Sequence, residues 1–378
     1  MANIVDLFAG AGGLSLGAAR AGFDVIAAVE IDSNAMNTHR CNFPNTNHIQ
    51  ADISRLNGAV LLDMLGVEAN EIDGIIGGPP CQGFSSIGHG NIHDQRNQLF
   101  VKFFELVEDL QPIFFMAENV PGIMNEKYDA IRERAFSHVA HYNMLPPIKV
   151  VASEYGAPTS RTRFFFIGYL EDPRINAIEL ADIEDMKVVE RDMTKVGKAL
   201  EGLPADIVFN RNSDGVMQLE AAYFEGEGRT QSDFFYQRVT GMRPNGVGNH
   251  EYIINYEREH WINGCQPTNH SDTVRQRYSR LSYGERDHIS KSTKLDPYKF
   301  CPTIRAGTGP EKGSYQAVRP IHYQQARVIT PREAARLQGF PDWFQLPNTI
   351  WHSFRQIGNS VSPIVAERVL LAIHQKLT

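Results

Sequence analysis

One cysteine stands out as a nucleophile because of the residues around it. Cys81 follows Pro79 and Pro80 and precedes a polar stretch that begins with Gln82. The thiolate is a strong nucleophile, and a loop stiffened by proline can hold it exposed. Most free cysteines are small buried apolar residues. That alternative is less favoured here because polar residues follow the prolines.

A glycine-rich segment near the start of the chain has the composition of a ligand-binding loop. It reads DLFAGAGG over residues 6–13. Glu30 lies about 20 residues further on, where a carboxylate can accept both ribose hydroxyls, and Asp52 is placed to accept from an adenine amino group. Together these features favour an adenosine ligand over an accidental turn. A dinucleotide would prefer the GxGxxG spacing, which this loop lacks.

Two further polar clusters adjoin apolar runs. Glu118 and Asn119 end the run that starts at Ile113, and the residues alone favour capping and chemistry equally. Arg161 and Arg163 come just before the apolar run that starts at Phe164. We expect these two arginines to point to opposite sides, so that one faces the site and the other braces the structure.

The first 170 residues or so alternate short apolar strands with helical patterns. The predicted strands are Ile4–Phe8, Val25–Glu30, Asn47–Gln50, Ile72–Ile76, Ile113–Glu118, Lys149–Ser153 and Phe164–Tyr169. Predicted helices between them include Gly13–Ala21, Ser33–Asn42 and Asn97–Leu110. This alternation predicts an α/β fold with a doubly wound, mostly parallel, Rossmann-like sheet. Ligands of such sheets bind beyond the carboxyl ends of the strands, where these polar residues lie.

The pattern changes in the second half of the chain. Residues 190–325 are polar and turn-rich, which predicts a second, smaller, irregular domain. Order returns at Thr330 and Pro331, an N-cap followed by proline at the first helical position. A final apolar helix is predicted from Ser362 to Gln375. We therefore expect one domain from 1–189 plus 326–378, and a second from 190–325.

Length and charge set broad limits. With 378 residues and 42% hydrophobic content, the chain can bury the cores of two domains. The net charge of -7 at first argues against a polyanionic partner. Charge is uneven, however: Ser271–Arg319 holds about ten basic and about five acidic residues. A basic binding surface and an ordinary solvated face explain this segment equally well.

Cysteine spacing and the N-terminus indicate the compartment. The four cysteines, Cys41, Cys81, Cys265 and Cys301, form no CxxC pair, so neither a disulfide framework nor a zinc site is expected. An apolar strand starts directly after Met1, with no basic region or cleavage site of a signal peptide. No apolar run approaches the ~20 residues that cross a bilayer. We expect a cytoplasmic protein without membrane contact.

Taken in order, these motifs resemble those of the DNA (cytosine-5) methyltransferase family in its compact bacterial or phage form. The resemblance covers both ends of the chain. The matching segments are the methyl-donor loop Asp6–Gly17, the nucleophile motif Pro79–Gln82, the catalytic Glu motif Glu118–Val120, the paired arginines Arg161–Arg163, the supporting helix Thr330–Phe340 and the late motif Gly358–Val361. The middle segment corresponds to the family's variable target-recognition domain, where Pro302–Arg305 resembles a Thr-aliphatic pair.

The resemblance implies methyl transfer from S-adenosylmethionine to C5 of a flipped-out cytosine in double-stranded DNA. Cys81 would attack C6, Glu118 would act at N3, and Arg163 would hold O2, with Arg161 beside it. No metal is required. The donor contacts implied are Phe8, Gly10, Gly12, Gly13, Leu14, Glu30, Ile31, Asp52, Ile53, Pro79, Leu99, Asn359 and Ser360. The polar segment Ser85–Asn97 would act as a lid.

The sequence departs from the family pattern at two places. Thr159 stands where the family usually has glutamine, two residues before Arg161, and threonine reaches less far. Ser362-Pro363 also differs from the commoner ending of the late motif. We expect a monomer. A cognate restriction endonuclease would act as a separate chain, and the sequence leaves its existence open.

Three alternatives each fit part of the sequence. Transfer RNA could be the substrate of the same chemistry, but relatives with that activity carry a Cys-Phe-Thr segment that this chain lacks. A non-catalytic DNA-binding relative is disfavoured because Cys81, Glu118 and Arg163 are all present. A dinucleotide oxidoreductase is supported by the glycine-rich loop alone, and comparing the binding of S-adenosylmethionine and NAD would separate it.

Overall fold

A computed structural model describes residues 1–80, 97–207, 210, 214–219, 233–307 and 318–378 of the chain. Cys81 and nearly all of the predicted lid Ser85–Asn97 lie outside the described residues. Pro80 and Asn97, which border that gap, are described.

The described residues form one large mixed sheet and one small two-stranded sheet. The strands are β1 (Asn3–Leu7), β2 (Asp24–Glu30), β3 (Asn47–Gln50), β4 (Gly74–Gly77), β5 (Phe114–Asn119), β6 (Asn143–Met144), β7 (Ile148–Val151), β8 (Thr162–Tyr169), β9 (Met217–Gln218) and β10 (Trp261–Ile262). The large sheet has the order β3-β2-β1-β4-β5-β8-β6, with β7 also paired to β8. Strands β9 and β10 form the small sheet.

The large sheet is parallel from β3 to β5 and antiparallel beyond. Strands β1 to β5 pair in parallel, whereas β8 runs antiparallel to β5, and β6 and β7 run antiparallel to β8. The mostly parallel α/β fold is thus confirmed. The two strands predicted after residue 145 belong to its antiparallel edge, because residues 152–161, all described, form no crossover α-helix between them.

Helices cover both faces of the sheet. Their bounds are α1 (Gly13–Arg20), α2 (Ser33–Asn42), α3 (Gly58–Leu65), α4 (Gln98–Leu110), α5 (Asp129–Ser137), α6 (Leu180–Glu184), α7 (Val196–Ala199), α8 (Phe234–Thr240), α9 (His250–Glu259), α10 (Asp272–Ser279), α11 (Pro331–Gln338), α12 (Ile350–Asn359) and α13 (Pro363–His374). One core joins α1 and α13 with Ile4, Val25 and Ile76 of the sheet. A second core joins α3, α4 and α5 with Val5 and Ile75 on the opposite face.

The C-terminal helix is part of the first core, as its apolar stripe predicts. Val365, Val369, Leu370 and Ile373 are all buried. Helix α13 packs closely on α1, because a Cβ atom added at Gly17 would lie only 2.3 Å from the Cβ atom of Ala366. The two ends of the sequence therefore fold against each other.

The close approach of α1 and α13 predicts a stability effect. Gly17→Val should lower the free energy of unfolding by about 2–3 kcal/mol, because the larger side chain forces the two helices apart. Chemical denaturation monitored by circular dichroism measures this. Ala130→Val, on the exposed face of α5, should cost a few tenths of a kcal/mol and serves as the control. Equal losses in the two variants would contradict the packing described.

The middle segment is more ordered than its composition predicts. Helices α8, α9 and α10 lie between residues 233 and 280, begun by side-chain caps from Asp233, Asn249 and Ser271. The prediction of a polar, irregular segment did not include these three helices. Buried hydrogen bonds tie it to later helices: Arg238 Nη2 donates to Glu367 Oε1 at 2.7 Å, and Arg332 Nε donates to the Asn263 carbonyl oxygen at 2.8 Å.

Candidate active site

The strand order places two loops side by side at one edge of the sheet. Strand β1 lies between β2 and β4, and the chain reverses its winding direction there. The loop after β1 begins at Phe8, and the loop after β4 begins at Gly78. Both leave the carboxyl ends of parallel strands, so they meet where α/β sheets bind their ligands.

The loop after β1 has a backbone shape that favours glycine. Phe8, Gly10 and Gly12 have φ angles of 61°, 57° and 96°, all in the left-handed region. A Cβ atom added at Gly10 would meet no atom within 4 Å, so open space adjoins this residue. At Gly12 it would lie 2.4 Å from the Phe43 ring, so this position has no room for a side chain. The loop can therefore bring its backbone close to a ligand.

Glu30 ends β2 and binds this loop. Its Oε2 accepts from the Gly10 backbone N–H at 2.9 Å, and its Oε1 accepts from those of Ile31 and Asp32, both at 2.8 Å. Burial raises the pKa of Glu30, and these three hydrogen bonds oppose that rise. The carboxylate is thus fixed in orientation, and Oε2 retains a lone pair for one more donor.

The residues predicted to contact an adenine ring follow β2 and β3. The side chain of Ile31 is 62% exposed, which is unusual for isoleucine and suits the face of an aromatic ring. Asp52 accepts from Ser54 through both the backbone N–H and Oγ, and the Ser54 hydroxyl holds the pKa of this solvent-facing carboxyl low. Ile53, next in sequence to Asp52, and Leu14, next to Gly13, are both buried, so we expect these two to shape the pocket from within.

The late motif lies against the glycine loop although 346 residues separate Gly13 from Asn359. A Cβ atom added at Gly13 would lie 2.4 Å from the Val361 carbonyl oxygen and 3.2 Å from Ser360 Cβ. Gln338 Nε2 donates to the Ser360 carbonyl oxygen at 2.9 Å, a support from α11 that the sequence did not suggest. Asn359 is exposed at the end of α12. Residues predicted for the donor site thus come together from both ends of the chain.

The second half of the site forms where β5 ends beside the loop after β4. Asn119 Nδ2 donates to the Pro79 carbonyl oxygen at 3.3 Å. A Cβ atom added at Gly78 would lie 3.3 Å from Glu118 Oε2. Glu118 and Asn119 are therefore next to the residues that lead directly to Cys81. Leu99, half-buried in the first turn of α4, follows the gap on its other side.

Glu118 is buried in an ion pair. Its side chain is 9% exposed, and its Oε1 lies 2.6 Å from Arg163 Nε. Burial raises the pKa of Glu118, while the positive charges of Arg163 and Arg161 lower it. The carboxyl can therefore hold a proton at higher pH than an exposed glutamate, and the arginines keep an anionic form accessible.

Both arginines lie on the Glu118 side. Arg163 pairs with Glu118 directly, and the charge of Arg161 also acts on that carboxyl. The expectation that they point to opposite sides is wrong, because residues two apart share one face of a strand. Their roles still differ: Arg161 is buried and its Nη1 donates to the Ile304 carbonyl oxygen at 3.3 Å, so it also anchors the segment that contains Ile304.

Thr159 links the arginine loop to the middle of the chain. Its Oγ1 donates to the Cys301 carbonyl oxygen at 2.9 Å and accepts from the Arg161 backbone N–H at 3.3 Å. The Cys301 backbone N–H in turn donates to the Pro158 carbonyl oxygen at 2.9 Å. Although threonine is shorter than the family's usual glutamine, its hydroxyl thus both donates and accepts a hydrogen bond here. Cys301 itself is buried with a pKa raised to about 12, which makes it an unreactive thiol.

Metal-binding clusters and membrane-spanning helices are both absent from the described part of the chain. Within it, no three His, Cys, Asp or Glu side chains are grouped so that they could bind a metal ion. None of its helices is long and apolar enough to cross a membrane.

The sheet order is that of an S-adenosylmethionine-dependent methyltransferase fold, and the buried Glu118–Arg163 pair forms a polar site near the glycine loop that Glu30 binds. A profile of the C-5 cytosine-specific DNA methylases matches residues 2–375. The chain belongs to this family, and it is a DNA (cytosine-5) methyltransferase.

Individual relatives agree with this assignment. The type II methyltransferase M.XorII of Xanthomonas oryzae pv. oryzae is 34% identical, over 97% of this chain and 82% of its own. M.DdeI of Desulfomicrobium norvegicum is 34% identical, over 97% of this chain and 86% of its own. A crystal structure of a prophage-encoded DNA modification methyltransferase (E. coli) is 49% identical and covers 100% of this chain and 99% of its own, with a TM-score of 0.86. The S. pombe Dnmt2 methyltransferase shares the fold, at 16% identity, 97% and 96% coverage and a TM-score of 0.59.

Proposed function

We propose that this enzyme methylates C5 of a flipped-out cytosine within a specific sequence of double-stranded DNA, through a covalent bond between Cys81 and C6. The observation that carries this proposal is the buried Glu118–Arg163 pair beside Gly78 and Pro79, which lead into Cys81. An acid and a cation beside a nucleophile are what addition to a cytosine ring needs.

The residues present fit S-adenosylmethionine. The open space at Gly10 suits close contact with the backbone, and the free lone pair of Glu30 Oε2 suits a ribose hydroxyl. Exposed Ile31 suits an adenine ring, and half-buried Asp52 suits its amino group. When bound, the donor supplies an electrophilic methyl group on a sulfonium. Phe8, Gly12, Gly13, Pro79, Leu99, Asn359 and Ser360 complete the proposed pocket.

The chemistry follows from the side chains. Cytosine C5 is a poor nucleophile until the Cys81 thiolate adds to C6 and the ring becomes enamine-like. Negative charge then develops at N3 and O2. Glu118 donates a proton or a hydrogen bond to N3, and Arg163 stabilises O2. Once C5 carries the methyl group, loss of the C5 proton to a base, departure of the Cys81 sulfur as thiolate and return of the N3 proton to Glu118 restore the aromatic ring.

We also propose a division of labour along the chain. Residues 1–189 and 326–378 would form the catalytic, donor-binding domain, and residues 190–325 would read the DNA sequence. Contacts of Gly13 with Ser360 and of Gly17 with Ala366 support the joining of the two flanking segments. The helices and basic residues of the middle segment support a role in DNA contact.

Basic residues of the middle segment should contact phosphates. Arg275 on α10 and Arg305 near Ile304 are both exposed. Alanine at either position should weaken DNA binding and reduce the slope of log affinity against log salt by about one unit for each phosphate that is no longer bound. Fluorescence anisotropy with labelled duplex over a salt series measures this. Arg134→Ala, on exposed α5, is the control. Unchanged slopes in both variants would contradict this placement of the DNA.

The donor site makes a separate prediction. Glu30→Ala should weaken S-adenosylmethionine binding by about 1–3 kcal/mol, because it removes charge-assisted hydrogen bonds to the ribose and the Gly10 loop. Isothermal titration calorimetry measures the donor affinity, and DNA binding should change little. Glu133→Ala, an exposed carboxylate on α5, is the matched control. Equal donor affinity in the wild type and Glu30→Ala would remove Glu30 from the donor site.

Methylation of plasmid DNA tests the proposed function as a whole. Purified enzyme, plasmid and S-adenosylmethionine are incubated, and the plasmid is sequenced after bisulfite treatment. We expect one recurring sequence in which a single cytosine is protected. A parallel reaction with transfer RNA separates the RNA alternative. Methyl transfer to RNA without protected cytosines in DNA would overturn the proposal.

A further inference from the structure

A continuous chain of buried hydrogen bonds runs under the glycine loop and is not used by the mechanism above. Ser15 Oγ lies 2.5 Å from Asp6 Oδ2 and 2.9 Å from His39 Nε2. His39 Nδ1 lies 2.9 Å from His48 Nε2. Asp6, Ser15 and His39 are fully buried, and half-buried His48 ends the chain toward solvent. The path thus joins the carboxyl-terminal end of β1 to the surface at β3.

This chain of hydrogen bonds is connected to the glycine loop both by sequence and by packing. Asp6 precedes Phe8, the first residue of the loop, by two positions, and Ser15 lies in the first turn of α1. The His39 ring stacks on Phe43 with centroids 4.3 Å apart. A Cβ atom added at Gly12 would lie 2.4 Å from Phe43 and 3.1 Å from His39. The loop therefore rests directly on these two rings.

The geometry allows a proton to pass along the chain without a gap. A neutral imidazole has one donor and one acceptor nitrogen, so an ionised Asp6 sets every direction: His48 donates to His39, His39 to Ser15, and Ser15 to Asp6. A proton taken up by His48 Nδ1 can reverse all three bonds. His48 Nε2 passes its proton to His39, His39 Nε2 to Ser15, and Ser15 Oγ to Asp6. Asp6 then becomes neutral, and both imidazoles remain neutral.

The surroundings of Asp6 favour exchange of this proton near neutral pH. Among the described residues no donor reaches its buried Oδ1, so the carboxylate depends on Ser15. Burial raises the pKa of Asp6 to about 7, with the Ser15 hydroxyl opposing the rise and the charge of Glu30 adding to it. The pKa values of His39 and His48 are lowered, mainly by burial, with Arg40 as the neighbouring cation. Both rings are thus uncharged while Asp6 titrates.

We propose that Asp6 is a positioning residue whose ionisation is linked to donor binding: the cationic sulfonium favours the Asp6 carboxylate, and the Ser15–His39–His48 chain carries the released proton to the surface. This inference rests on the proposed donor site. A buried carboxylate and a cation attract strongly where water is excluded, so the donor lowers the pKa of Asp6. Donor affinity then rises with pH through the pKa of Asp6 in the free enzyme and levels off above it.

Calorimetry with two buffers of different ionisation enthalpy counts the protons released per bound ligand. If binding lowers the pKa of Asp6 by one unit, the wild type should release about 0.4 proton more than Asp6→Asn near pH 7. The affinity of the wild type for S-adenosylmethionine should rise up to about tenfold between low and high pH. Subtracting Asp6→Asn cancels protons from the donor's own amino group. The neutral thioether S-adenosylhomocysteine should show no such difference. Asp24→Asn, an exposed carboxylate at the start of β2, should behave as wild type.

A second variant keeps the inference testable if Asp6→Asn does not fold. Ser15→Ala removes the hydroxyl that lowers the pKa of Asp6, so the midpoint of the pH dependence should move to higher pH. Equal proton release by wild type and Asp6→Asn on binding S-adenosylmethionine, or an unmoved midpoint in Ser15→Ala, would overturn the inference. Both outcomes require that the donor binds. A wild-type enzyme that does not bind the donor at all would contradict the proposed function instead.

Discussion

Replacing Cys81 by serine should abolish methyl transfer to DNA while leaving S-adenosylmethionine binding nearly unchanged. The serine hydroxyl is far less ionised than a thiol at neutral pH and cannot add to C6 at a useful rate. Turnover is measured by transfer of labelled methyl groups to plasmid, and donor affinity by calorimetry. Cys41→Ser, at an exposed cysteine on α2, should retain full activity.

These measurements separate chemistry from structure. Loss of both activity and donor binding in Cys81→Ser would indicate a damaged fold rather than a missing nucleophile. Retained turnover would remove Cys81 from the mechanism. Cys265 and Cys301 do not compete for this role, because burial raises the pKa of each thiol to about 12.

Glu118→Gln should reduce kcat by about 10²–10⁴-fold, the range expected for loss of a general acid. The amide keeps the shape of the carboxyl and can donate a hydrogen bond, but it cannot give a proton to N3. Donor affinity should change little, because Glu118 faces Arg163 and the Gly78 backbone rather than the glycine loop. Steady-state kinetics on plasmid measures kcat, and Glu126→Gln, an exposed residue after β5, is the control.

The pH profile adds a second readout. Because the pKa of Glu118 is raised by burial, its proton is present below that pKa and is lost as pH rises through it. The wild-type rate should therefore carry a descending limb at high pH that Glu118→Gln lacks. An identical pH profile in the two enzymes, at similar kcat, would contradict the acid role.

The parallel half of the sheet could be predicted because its signals are local. Strands β1, β2, β4 and β5 are short, largely apolar runs, and glycine, proline or a carboxylate lies at the ligand edge of each. That pattern predicted the α/β class and the neighbourhood of Gly10, Glu30 and Glu118. The burial of α13 followed in the same way from its apolar stripe.

Other features depend on contacts between distant residues, which spacing does not reveal. The support of Ser360 by Gln338 and the hydrogen bond of Thr159 to the Cys301 carbonyl oxygen join residues far apart in the chain. The chain from Asp6 to His48 was also missed, since a lone buried histidine has no sequence signal. Helices α8 to α10 were missed because their polar faces obscure the apolar period, although their N-cap residues could have indicated them.

A covalent adduct tests the central claim most directly. The enzyme is incubated with S-adenosylmethionine and a duplex that carries 5-fluorocytosine at the cytosine identified by bisulfite sequencing. Fluorine cannot leave C5 as a proton does, so the sulfur–C6 bond should persist, and mass spectrometry after digestion should locate the modified base on Cys81. An adduct on any other residue, or an adduct of equal yield in Cys81→Ser, would contradict the account.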